Sequence, residues 1–157
     1  MSRKKPKSTK KPVPAAKPKE PRSVPRHEQQ LALIGDTLLD VEAGFRILRA
    51  APRRLVRIDV DSWARLYGLD GNPLSPVKVG PLFDPEHART ADLRRPLILV
   101  TFATGGGQEA LLIADGSHRL ARAYSEGRDS LPAWILTAGE TRAITVAKPT
   151  RSDCTRP

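Results

Sequence analysis

The sequence predicts a small α+β domain, a mixed sheet with packed helices, preceded by a disordered basic tail. Three observations predict it. Strand-like apolar runs and helical periodicities succeed one another from residue 54 to residue 147. A hairpin pattern stands in the middle: PLILVTFA over 96–103, the turn TGGGQ, and the return run EALLIA over 109–114. Charge also changes abruptly near residue 26, where a Lys/Pro-rich stretch gives way to a mixed, more apolar sequence.

The chain has 157 residues and a formal net charge of +10. Residues 1–26 hold ten Lys/Arg and one acid, Glu20, which is +9; the remaining 131 residues hold 17 basic and 16 acidic groups, which is +1. Six of the 15 prolines lie in those first 26 residues, with no aromatic among them. Little there can be buried, so chain entropy wins and disorder is expected. A flexible polycation binds polyanions by releasing their counterions. Lys4, Lys5, Lys7, Lys10 and Lys11 are the expected contacts to DNA or RNA, without sequence preference because no aromatic is present for base stacking. No apolar run approaches the ~18–20 residues of a membrane span, and the basic start lacks the apolar core of a secretory signal. One cysteine, Cys154, excludes an internal disulfide and a cysteine-based zinc site. A cytoplasmic protein, with nucleoid association through the tail, is the expectation.

Residues 27–52 show an apolar stripe at helical spacing, Leu31, Ile34, Leu38, Val41, Phe45 and Leu48, stopped by Pro52. The spacing predicts an amphipathic helix, packed on its own domain or paired over 31–48 with a second copy as a homodimer. The domain proper is expected over 54–147. RLVRIDV, residues 54–60, alternates as a strand. Asp61-Ser62 offers an N-cap for a short helix carrying Trp63, Leu66 and Tyr67, closed by Gly68. Residues 70–83, with three prolines and two glycines, read as a loop. Asp84-Pro85 opens a helix expected to run to about Arg94. The hairpin follows, then a helix from Ser117 to Gly127 with Leu120, Ala121, Ala123 and Tyr124 facing inward, then a strand over 131–136. Residues 148–157 read as a frayed tail.

The densest chemistry is Asp115-Gly116-Ser117-His118-Arg119, between a strand and a helix. A helix start offers unpaired N–H groups and the positive end of the helix dipole. Gly116 permits close backbone approach, Ser117 brings a hydroxyl, and His118 and Arg119 bring donors or positive charge. Such a junction suits a phosphate. Asp115 would orient His118, hold magnesium or act as a general base. As a plain turn and helix cap the same five residues need no ligand. The three glycines at 105–107 join two strands and so do not form a phosphate loop, which runs from strand to helix.

The run PLILVTF–GGG–ALLIADGSHRLARAYSEGRDSLPAWIL resembles the ParB/sulfiredoxin-like superfamily, and RLVRIDVDSWARL resembles the start of such a domain. Members have a Pro-initiated strand, a hairpin, a Gly-x-[His/Arg]-Arg motif opening a helix, a glycine after it and a Pro-led strand. The likeness covers about residues 54–140. It implies nucleotide phosphate contact by Gly116, Ser117, His118 and Arg119, with ATP or CTP and magnesium as the cofactors. Ser117 stands where sulfiredoxins carry a reactive cysteine, and a serine cannot form a thiosulfinate, so sulfinic-acid reduction is not implied. Ser117 and His118 replace the Glu-Arg pair of partition proteins, and Ala121 a later arginine, so their nucleotide-driven clamp cycle is not implied either.

The leading expectation is a stand-alone domain that binds a nucleoside phosphate at 115–119 and meets DNA through its tail. The alternatives are a small phosphotransferase or nucleotide hydrolase with Asp115 and His118 as catalytic residues, and a non-enzymatic DNA-associated protein whose motif only caps a helix.

Overall fold

The computed structural model describes residues 30–80 and 83–146. The expected basic tail with its lysines, the expected frayed C-terminus and Cys154 lie outside the described residues. The element order is β1 (Leu31–Ile34), β2 (Thr37–Asp40), α1 (Val41–Ala50), β3 (Val56–Asp59), α2 (Val60–Leu66), α3 (Pro85–Thr90), β4 (Leu97–Ala103), β5 (Glu109–Asp115), α4 (Ser117–Ser125), β6 (Ser130–Leu136) and α5 (Ala138–Ile144). The domain is α+β.

Four strands form one sheet in the order β3-β6-β4-β5. β6 runs antiparallel to β3 and parallel to β4, while β4 and β5 form the expected antiparallel hairpin. β4 lies inside the sheet and is covered on both faces, which is why its sequence is continuously apolar rather than alternating. Leu97 and Leu99 enter a core with Ile58, Val60, Tyr67, Ile113, Leu120, Ala123, Leu131 and Ala133. Ile98 and Val100 enter a second core on the other face, with Leu39, Val41, Leu48, Leu136 and Ile144. The second core takes three of its residues from the segment before β3.

That segment differs from the expected amphipathic helix over 27–52. Residues 31–40 form a two-stranded hairpin, β1 paired with β2 from Leu31↔Asp40 to Ile34↔Thr37. Gly35, at φ +59, begins the two-residue turn, a position that favours glycine. Helix begins only at Val41, where the Asp40 carboxylate accepts the Ala43 N–H at 2.9 Å. Leu39, off the expected stripe, is completely buried, while Leu31 on the stripe is half exposed. A helical pairing surface over 31–48 therefore does not exist in the expected form.

Two smaller boundaries also move. The cap of α2 is Asp59, which accepts the Ser62 N–H at 2.7 Å, rather than the Asp61-Ser62 pair. α3 keeps the expected Asp84 cap and Pro85 but ends at Thr90, not near Arg94. Asp92 accepts both the backbone N–H and the guanidinium of Arg94, which favours a turn, and Pro96 disfavours helix at the residue before it. α5 was not expected. It is opened by a capping box in which the Thr137 hydroxyl accepts the Glu140 N–H and the Glu140 carboxylate accepts the Thr137 N–H.

Candidate functional site

β5 ends at Asp115, and its last pairing, Ile98↔Asp115, is separated from the rest of the ladder by a bulge. Gly116 then turns the chain at φ +116 into α4, and its carbonyl accepts the Leu120 N–H at 2.9 Å. The turn is closely packed. A Cβ on Gly116 would stand 2.7 Å from Leu97 Cγ and within 3.1 Å of the Arg119 guanidinium. α1, α2, α3 and α5 each carry a side-chain cap, from Asp40, Asp59, Asp84 and Thr137. α4 has none, because its cap residue is a glycine. Its first-turn N–H groups are therefore left to whatever lies in front of them.

What lies in front is a cleft of about 820 Å³. One wall is the β1–β2 hairpin and its turn, another is the segment 76–80 with Phe83, and between them runs the free edge of β5, with Phe102, Leu112 and Ala114 on the hairpin's side and Ile113 on the side of Tyr67. Tyr67 reaches it from the end of α2, and Ser117 and His118 from the start of α4. The 76–80 wall is held in place by the Val77 N–H, which donates to the Leu66 carbonyl at 3.1 Å, and by the buried Ser75 hydroxyl, which donates to the Val77 carbonyl at 2.9 Å. Lys78 lines the same wall, its ammonium donating to the Pro73 carbonyl at 2.7 Å and making no ion pair among the described residues.

The five motif residues are thus divided. Ser117 and His118 line the cleft; Asp115, Gly116 and Arg119 do not. Arg119 is an internal brace: its guanidinium donates to Asp115 at 2.5 Å, its side chain is nearly buried, and its Nε has no partner among the described residues. The Asp115 carboxylate is held in the same pair. Among the described residues no three His, Cys, Asp or Glu side chains converge as a metal site would require.

His118 is held on three sides. Its Nε2 accepts the Asp84 N–H at 3.0 Å, so the ring proton of the neutral imidazole sits on Nδ1. The Phe83 ring stacks on it at 5.0 Å with a 9° interplanar angle, and the His87 ring meets it edge-on at 4.8 Å. Burial, and then the neighbouring His87, push the His118 imidazole below its usual pKa, against smaller opposing effects of Asp84 and Asp115. Near neutral pH it is an uncharged ring that fastens the start of α3 to α4. The motif's positive charge is therefore largely absent from the cleft, which offers backbone N–H groups, the hydroxyls of Thr37, Tyr67 and Ser117, and the Lys78 ammonium instead.

Of the other cations near the hairpin, Arg89 pairs with Glu86 on the surface and His87 packs on His118, so among the described residues Lys78 is the one lysine or arginine that lines the cleft. Phe83, Phe102 and Tyr67 were not foreseen as cleft residues, since nothing local in the sequence separates a cleft aromatic from a core one. Neither a family model, nor a curated protein, nor a solved structure matches the chain.

Proposed function

We propose that this domain binds a nucleoside phosphate in the cleft, with the phosphate against the first turn of α4 and the base among the apolar side chains. One observation carries the reading: among the described helices of this domain, the one without a side-chain cap is the one that opens into the cleft. Anions bind at such termini because free N–H groups and the helix dipole act together. Lys78 supplies the counter-charge and the Ser117 hydroxyl a further hydrogen bond. Apolar walls with a few polar groups at one end suit an aromatic base carrying a phosphate. The resemblance to ParB/sulfiredoxin-like domains supports the same reading, because its motif is the one that opens α4. Magnesium, where required, would come with the phosphate.

Binding is favoured over turnover. A phosphotransferase or hydrolase reading needs Asp115 and His118 as acid or base, yet Asp115 is paired with Arg119 and His118 Nε2 already accepts a backbone N–H. Non-specific contact of the lysine-rich tail with DNA or RNA completes the proposal.

The test is the thermal midpoint of the full chain with ATP, CTP, GTP and ADP, with and without magnesium. A ligand at a hundred times its Kd stabilises by about 2.7 kcal/mol, a rise of several degrees. Lys78→Ala is expected to shrink that rise. No shift with any nucleotide overturns the reading.

A further inference from the structure

We propose that Tyr67 determines which base the cleft accepts: its phenol donates to a carbonyl oxygen on the ligand, so bases presenting a carbonyl are preferred to those presenting an amine. The proposal rests on the nucleoside-phosphate reading above.

Tyr67 is 6% exposed and lines the cleft from the end of α2. β5 is an edge strand of the four-stranded sheet. The Ile113 N–H on that strand donates to the Tyr67 oxygen at 2.7 Å instead of to another strand. The Trp63 ring, one turn earlier, lies 6.3 Å from the Tyr67 ring at 17° and fixes its plane. A phenol has one hydrogen to donate as well as lone pairs to accept with. Here a lone pair is used and the hydrogen is not: among the described residues the Tyr67 O–H has no acceptor. Burial pushes the phenol up to about 12, so the group keeps its proton throughout the physiological range and the hydrogen is there to be donated.

A buried donor without an acceptor is costly, and an acceptor brought by a ligand removes the cost. An apolar cleft wall cannot otherwise tell one flat ring from another. A carbonyl satisfies the O–H, whereas an amine at the same ring position presents a donor to a donor. If the phenol served only to satisfy Ile113, the cleft would be indifferent to that exchange.

Two matched pairs test this, since inosine differs from adenosine, and uridine from cytidine, by carbonyl for amine at one ring position. Calorimetric Kd values of the full chain for IDP against ADP and for UDP against CDP are expected to show about a tenfold preference for the carbonyl member in at least one pair. Tyr67→Phe, which keeps the ring and removes only the hydroxyl, is expected to bring that ratio to within about twofold of one. Ratios near one in both pairs for the unaltered chain overturn the proposal whether or not the variant folds. So does a preference that survives Tyr67→Phe. Failure of all four diphosphates to bind overturns the cleft reading and this proposal with it, whereas equal binding of all four overturns this proposal alone.

Discussion

Gly116 occupies a backbone conformation, φ +116, that residues with a Cβ rarely adopt, and the space beside it is already filled by Leu97 and Arg119. Its small size allows the Arg119 guanidinium to lie under the turn and reach Asp115. Gly116→Ala is expected to destabilise the domain by about 2–4 kcal/mol, combining backbone strain with overpacking. A urea titration would show this as a lower midpoint at unchanged slope. A midpoint within error of the unaltered chain would mean that the turn adapts freely. At this scale the motif was legible as a helix start, because Asp-Gly followed by a polar first turn is a local pattern. The division of labour within it was not. That Arg119 turns inward while Ser117 faces the cleft depends on Leu97 and the bulge beside Ile98, both more than fifteen residues away in sequence.

Between elements, His118 links α4 to the start of α3 by one hydrogen bond and two ring contacts. Protonation would remove the lone pair that accepts the Asp84 N–H and place a charge beside His87. Because the folded pKa lies below the usual value of about 6.5, the unfolded chain binds more protons in the interval between them. The contribution is thus fully present above about pH 6.5 and is lost as pH falls through the folded value. Stability measured by urea at a series of pH values should fall more between pH 7.5 and 5.5 for the unaltered chain than for His118→Gln, whose amide does not titrate. Parallel curves would mean that His118 is not held neutral. Element boundaries were legible where capping chemistry and periodicity agreed, as at Asp84-Pro85 and along β4 and β5. Over 31–48 they conflicted. A 3-4 spacing of large apolar residues fits one helix, but the same letters fit LALI and TLLD as two strands about Gly35-Asp36. The tertiary surface decided between them, because the sheet face carrying Ile98 and Val100 needed a cover, and the hairpin with α1 buries Leu39 and Val41 there. The Thr137–Glu140 capping box was a signal of the same local kind and would have announced α5.

Across the molecule, charge and shape are separated. Beyond residue 26 the chain carries 17 basic and 16 acidic groups, and many of its arginines are engaged in ion pairs, such as Arg53 with Glu140 and Arg122 with Glu126. Residues 1–26 carry 10 − 1 = +9. Among the described residues the cleft is lined from within 31–118, so nucleotide binding and polyanion binding should be separable by a single truncation. Deleting residues 1–26 is expected to abolish retention of the chain on duplex DNA at low salt while leaving the nucleotide-dependent thermal shift unchanged. For the full chain, the logarithm of the affinity should fall linearly with the logarithm of salt concentration. Contact with about six to nine phosphates gives a slope of roughly −5 to −8. Electrophoretic or anisotropy titrations at several salt concentrations measure it, with circular dichroism to establish that the truncated chain is folded. Retention that survives the deletion would place the polyanion contact on the near-neutral domain, where only a local cluster, and not the net charge, could account for it.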